Sequence, residues 1–129
     1  PIVQNFEGQA RGGRIVLSRV GEEEHLRHLG VPVLGSDTKV ERIVEKPADP
    51  PSPYAVTGVY FYDDAVWDVL PTLRPSGRGE LEITDVNNWY VERGLMEADV
   101  VDGFWGDAGE SIDAYYQVND FVRGQGSSA

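Results

Sequence analysis

Apolar and polar positions alternate along this chain in two distinct periods. Residues 14–20 carry the uninterrupted apolar triplet Ile15-Val16-Leu17, the pattern of a strand covered on both faces. Residues 56–62 are rich in β-branched and aromatic residues and predict a strand, and residues 96–101 read as another. Residues 31–34 and 39–45 predict two short strands around the turn Gly35-Ser36-Asp37. Pro32 restricts the first of these to an edge or a strand start. Helical spacing appears elsewhere. Residues 2–6 read as the tail of a helix closed by Gly8 and the Gly12-Gly13 pair, and residues 22–29 have room for one turn. Asp63 predicts a cap for a helix over 65–70, with Val66, Val69, Leu70 and Leu73 on its inner stripe. Ile83, Val86 and Tyr90 mark one face of a second helix, closed by Arg93 and Gly94. Ser111 predicts the cap of a third helix, with Ile112, Tyr115, Tyr116, Asn119 and Val122 inward. Four prolines between Pro47 and Pro53 make that stretch a loop, as is 75–79.

Strands intermixed with helices predict an α/β sheet layered with helices. One domain portion over 1–123 and a flexible Gly/Ser-rich tail over 124–129 follow from the composition. No internal repeat is visible. The first strand lies unusually near the N-terminus for an open α/β domain, whose ligand loop normally follows an early strand. The chain also opens on Pro1 rather than Met. The opening on Pro1 suggests a cut or processed chain.

Composition narrows the chemistry. With 129 residues, 40% of them hydrophobic, the chain has material for a core. The absence of cysteine excludes disulfides, zinc–thiolate sites and a cysteine nucleophile, and fits a reducing cytoplasm. A net charge of −11 argues against nucleic acid as a partner. It also requires any phosphate ligand to be met by a few local cations and a metal ion. No apolar stretch has the length of a membrane helix, and no signal-peptide pattern opens the chain. There is no nucleophile-elbow serine, Walker A loop or dinucleotide fingerprint.

Three short segments could carry chemistry. Glu45-Lys46-Pro47 sets a carboxylate beside an ammonium where a strand enters a loop. The lysine can hold a phosphate and the glutamate can accept from sugar hydroxyls, or the pair is simply a charged strand end. In residues 78–85 (RGELEITD), Arg78 sits in a glycine-flanked loop from which it can swing to a phosphate. Glu80, Glu82 and Asp85 suit the first turn of the helix that follows. Residues 105–109 (WGDAG) place Asp107 in a tight turn, suited to Mg²⁺ beside substrate phosphates or to an Asx turn without a ligand. His25 and His28 stand three apart, but no further His or Cys exists to complete a metal site, so they read as a solvated face.

Taken in order, Leu29-Gly30-Val31, residues 44–47 (VEKP), 54–63 (YAVTGVYFYD), 78–87 (RGELEITDVN) and 105–109 resemble glucose-1-phosphate thymidylyltransferases, within the wider sugar-1-phosphate nucleotidyltransferases. The resemblance runs over nearly the whole chain. It implies part of a Rossmann-like mixed-sheet fold, with the N-terminal nucleotide-binding half missing. It implies that Glu45 bonds sugar hydroxyls, that Gly30 and Val56 lend backbone groups, and that Tyr60 lines the pocket. Lys46 and Arg78 would bind phosphate as the catalytic cations, and Asp107 would be one of two carboxylates on Mg²⁺. The partners implied are a sugar 1-phosphate and a nucleoside triphosphate, with cytoplasmic location and homo-oligomeric assembly. The implied reaction joins glucose 1-phosphate and dTTP into dTDP-glucose and pyrophosphate, and this portion alone is expected to be silent. A sugar-phosphate-binding or regulatory module without turnover is the alternative. Leu29 stands where the family commonly has an aromatic residue. The short C-terminus predicts no distal regulatory site.

Overall fold

A computed structural model describes residues 1–126. The chain runs α1 (Ile2–Glu7), β1 (Gly13–Arg19), α2 (Glu23–Leu26), β2 (Gly30–Leu34), a 3₁₀ turn (Ser36–Thr38), β3 (Val40–Glu45) and β4 (Tyr54–Tyr62). It continues through α3 (Val66–Val69), a second 3₁₀ turn (Leu70–Thr72), α4 (Ile83–Glu92), β5 (Met96–Val101) and α5 (Ile112–Gly124). The strands form a three-stranded sheet of order β4-β1-β5 and a separate β2-β3 ribbon. β1 is antiparallel to β4 and parallel to β5, so the sheet is mixed, as the sequence predicts.

The apolar triplet of β1 forms the centre of the molecule. Ile15, Val16 and Leu17 are all buried, because β1 has a strand on either side and cover on both faces. Ile15 and Leu17 join Val40 and Ile43 of β3, Val69, Met96, and Val86, Tyr90 and Val91 of α4 in the main core. A smaller cluster of Leu26, Leu29, Val31 and Ala55 lies under α2, with Trp105 packed against it.

Two local devices shape the side that carries the candidate residues. The first is a bulge in β4. Ile15 pairs with Tyr60, but Leu17, two residues on, pairs with Val56. The extra residues on β4 include Gly58 at φ +85°, a conformation that favours glycine. Thr57 Oγ1 donates to the Val16 carbonyl at 3.0 Å, satisfying an acceptor at the disrupted ladder.

The second device concerns Pro32. It lies mid-strand in β2, opposite Ile43, and is fully buried. In a two-stranded ribbon both strands are edges, which is where proline is tolerated. The backbone groups of Ile43 turn instead to Asn88 of α4. Asn88 Oδ1 accepts from Ile43 N at 2.8 Å, and Asn88 Nδ2 donates to Ile43 O at 2.9 Å. One amide side chain therefore fastens the ribbon to the helix as a neighbouring strand would.

Four sequence expectations change. Asp63 does not cap a helix over 65–70. The helix is one turn, Val66–Val69, and the Asp63 carboxylate gathers Gly12 N (2.6 Å), Ala65 N (3.2 Å) and the Tyr90 hydroxyl (2.8 Å). Ile83, expected inward on α4, is 41% exposed, as Leu70, expected on the inner stripe after Asp63, is at 40%; Thr84 and Asn87 occupy the buried face of α4 instead. On α5, Ile112, Tyr115, Tyr116, Asn119 and Val122 are all exposed rather than inward, although Ser111 caps the helix through Ala114 N at 3.0 Å as expected. Finally, α5 continues through Gly124 into the segment expected to be a tail, of which residues 127–129 lie outside the described residues.

Candidate functional site

The hairpin register places Gly30 directly opposite Glu45. A Cβ on Gly30 would stand 3.4 Å from Glu45 Oε2, so glycine leaves the carboxylate room to bend across the ribbon. Its position is fixed by Thr84 of α4, whose hydroxyl donates to Glu45 Oε2 at 2.7 Å. Beyond Glu45, Lys46 N extends the ladder by bonding Leu29 O at 3.0 Å, but Lys46 itself takes φ +46°. A left-handed non-glycine residue carries a conformational cost and turns the chain sharply at the ribbon's end.

These features border a cleft of about 380 Å³. Gly30, Glu45, Val56, Tyr60 and Asp107 all line it, so five of the seven residues singled out in the sequence come together there. The β4 bulge brings Val56, Thr57, Gly58 and Tyr60 to its wall, and the loop between β5 and α5 brings Trp105, Gly106 and Asp107 over it. The Tyr60 phenol is held above its ordinary pKa, first by partial burial and then by the Glu45 charge, so it stays a neutral donor.

Lys46 and Arg78 line an adjoining depression of about 450 Å³ together with Arg74 and Ser76. Glu45 and Thr84 border both spaces, so the two are neighbours. The three cations of the depression, Lys46, Arg74 and Arg78, share the lining with the carboxylates of Glu45, Glu82 and Asp85. Arg78 is not loose in its loop, as its glycine neighbours predict. Its Nη2 bonds Glu82 Oε1 at 2.7 Å, and its own N–H donates to Ser76 Oγ at 3.2 Å. This hydrogen bond and the opposite charge raise the Arg78 pKa, and the same bond, aided by Ser76, holds Glu82 below the usual carboxylate range. Glu82 is thus an ionised latch on Arg78 rather than a first-turn helix acid; only Asp85 has that place.

Asp107 sits in an Asx turn, with Gly109 N donating to its Oδ1 at 2.8 Å. Among the described residues, no group of three His, Cys, Asp or Glu stands close enough to hold a metal ion. Asp107 offers a single carboxylate at the cleft. That donor set suits Mg²⁺, which commonly takes one or two carboxylates and completes its shell with water and substrate phosphates. His25 and His28 are largely exposed and face Glu22 and Glu24 at 3.4 and 3.7 Å, in keeping with a solvated face.

The sequence reading passes over Thr84, Asn87, His28 and Trp105 as lining residues of the cleft. Thr84 and Asn87 leave a signal, since both are polar and lie on the buried face of α4. Asn87 Oδ1 accepts from the Tyr62 hydroxyl at 2.6 Å. The pairing of Thr84 with Glu45 has no local signature.

The sequence profile of the family described as Nucleotidyl transferase matches residues 1–125. This chain belongs to that family. It is 43% identical over 96 residues to a glucose-1-phosphate thymidylyltransferase of Mycolicibacterium smegmatis, covering 73% of this chain and 33% of the relative. It is 36% identical over 113 residues to a low-salt glycan biosynthesis nucleotidyltransferase of Haloferax volcanii, covering 87% and 31%. Among solved structures, a Bacillus anthracis chain assigned as a glucose-1-phosphate thymidylyltransferase, in complex with a sucrose, superposes with a TM-score of 0.83 at 39% identity. The match covers 94% of this chain and 47% of that one. A UDP-glucose pyrophosphorylase complexed with UDP-glucose superposes at 0.81 with 21% identity, a likeness of fold alone. The chain therefore spans about a third of the curated relatives it matches and about half of the solved neighbours. The mixed α/β architecture expected from the sequence is that of the nucleotidyltransferase neighbours.

Proposed function

We propose that this chain forms the sugar-phosphate-binding part of a sugar-1-phosphate nucleotidyltransferase, with glucose 1-phosphate and dTTP as its substrate pair. The observation that carries this reading is the meeting of Gly30, Glu45, Val56, Tyr60 and Asp107 around one cleft beside the depression that holds Lys46 and Arg78. Glu45, oriented by Thr84, accepts from sugar hydroxyls. Gly30 and Val56 offer backbone groups, and Tyr60 packs along the ring. Lys46 and Arg78 receive the phosphate, which displaces Arg78 from Glu82. Asp107 would hold Mg²⁺, which when bound offsets charge on the phosphates.

In the reaction, a phosphate oxygen of the sugar 1-phosphate forms a bond to the α-phosphorus of the triphosphate. The bond from that phosphorus to the bridging oxygen breaks, and pyrophosphate leaves with the electron pair. This chain's residues contribute by holding the nucleophile in line and by opposing its charge, which are the dominant needs of phosphoryl-type transfers. The relatives named as glucose-1-phosphate thymidylyltransferases support the choice of sugar and base.

Pyrophosphate release from the complete gene product, assayed with glucose 1-phosphate, Mg²⁺ and each common nucleoside triphosphate, tests the reading. Turnover is expected with dTTP foremost, and this chain alone is expected to be silent. Asp107→Asn should lower kcat by about 10²-fold, the usual loss for a transition-state charge partner. Glu45→Gln should act mainly on the sugar's KM. A folded complete protein that is silent with every triphosphate, yet binds glucose 1-phosphate by calorimetry, would replace the enzyme with a binding module.

A further inference from the structure

None of the described side chains of α5 is buried, yet the helix is fastened to one place. The Phe104 ring stacks on Phe121 of α5, with centroids 4.0 Å apart and planes at 21°. One turn earlier on the helix, Val118 presses on Gly106. A Cβ at Gly106 would stand 3.0 Å from Val118 Cγ2 and 3.1 Å from Phe104 Cζ. Phe104 and Gly106 are three and one residues before Asp107. On the other side of Asp107, the Asx turn to Gly109 leads directly into the Ser111 cap of the same helix. The segment carrying Asp107 is therefore fixed to α5 at both ends, while its middle projects over the cleft.

We propose that α5 is a positioning brace for the Asp107 carboxylate, acting through Phe121 on Phe104 and Val118 on Gly106. A helix that adds nothing to either core cluster needs another reason for an aromatic stack and a close glycine contact against one loop. Holding the only carboxylate that the loop offers to the cleft supplies it. Mg²⁺ is strict about ligand geometry, so a shift of the carboxylate weakens the metal before it disturbs the fold. Phe121 and Val118 line neither the cleft nor the adjoining depression, so they are positioning residues. The inference rests on the proposed role of Asp107 as a metal ligand.

The test uses the complete gene product, with Mn²⁺ binding followed by electron paramagnetic resonance and thermal melting measured alongside. Asp107→Asn sets the scale for full loss of the site. Phe121→Ala should weaken Mn²⁺ by about tenfold, as loss of a supporting contact to a metal ligand does. Phe121→Tyr, which keeps the stack, should retain wild-type affinity. Gly106→Ala should weaken Mn²⁺ independently, and adding Val118→Ala should restore part of the loss by making room for the new methyl group. Wild-type Mn²⁺ affinity in a folded Phe121→Ala or Gly106→Ala protein, with Asp107→Asn defective, would overturn the brace alone. Should Phe121→Ala fail to fold, the Gly106→Ala pair decides the matter. Wild-type affinity in Asp107→Asn would overturn the metal role, and the brace with it.

Discussion

Helices α4 and α5 come from sequences of the same kind and end in opposite situations. Both carry apolar residues at helical spacing. On α4 this face is satisfied: Thr84, Val86, Asn87, Tyr90 and Val91 are all buried between the sheet and the ribbon. On α5 the corresponding residues point outward, with Ile112 75% and Tyr116 60% exposed. Periodicity identifies a face that favours cover. It does not say whether the cover lies within the same stretch of chain. The difference also separates two kinds of support for the cleft. α4 reaches it through the protein's core, and α5 through a surface stack of two phenylalanines.

The comparison can be broken from the α4 side first. Tyr90→Ala should cost about 3–5 kcal/mol in urea denaturation, the range for removing a buried aromatic ring. Tyr90 is fully buried, stacks on Tyr62 and meets Trp89 edge-on. A loss no larger than that of a surface substitution would remove α4 from the core. Next, Asn88→Ala should cost about 1–3 kcal/mol, because it leaves the backbone pair of Ile43 without partners. Amide exchange at Ile43 should rise at the same time.

A third effect depends on pH. Partial burial is the largest single influence on Asp63 and pushes its pKa up. Together, however, the hydrogen bonds from Gly12, Tyr90 and Ala65 and the Arg11 charge outweigh it and hold the carboxyl below its ordinary value. A depressed folded pKa gives stability that is present above the unfolded value and is lost as pH falls through the folded one. Acid titration of the melting temperature should therefore fall less steeply in Asp63→Asn than in the wild type below about pH 4. Equal slopes would mean that the carboxylate does not carry this coupling. The smallest effect belongs to α5: Ile112→Ala or Tyr116→Ala in this chain should change stability by no more than about 0.5 kcal/mol. A loss comparable to that of Tyr90→Ala would show that this face is covered after all.

Much of the framework is legible in the sequence because it is locally encoded. The β1 triplet, the β2-β3 hairpin and β5 follow from apolar runs and turn residues, and Gly94 at φ +67° ends α4 as its position predicts. The cleft is only partly legible. Glu45, Tyr60 and Asp107 stand in recognisable segments, but what orients Glu45 is a threonine 39 residues away. The β4 bulge depends on a register that is set by β1, so Gly58 alone does not announce it. The pinning of Arg78 escapes a reading of its glycine neighbours because the latch, Glu82, looks like an ordinary helix acid.

The Asn88 amide has one more consequence, for solubility rather than binding. An exposed ribbon edge can recruit another chain into an extended sheet. At Ile43 that opportunity is closed, since both groups a newcomer would need are already engaged by Asn88. The same side chain that ties the ribbon to the helix thus closes this position of the edge to the addition of a further strand.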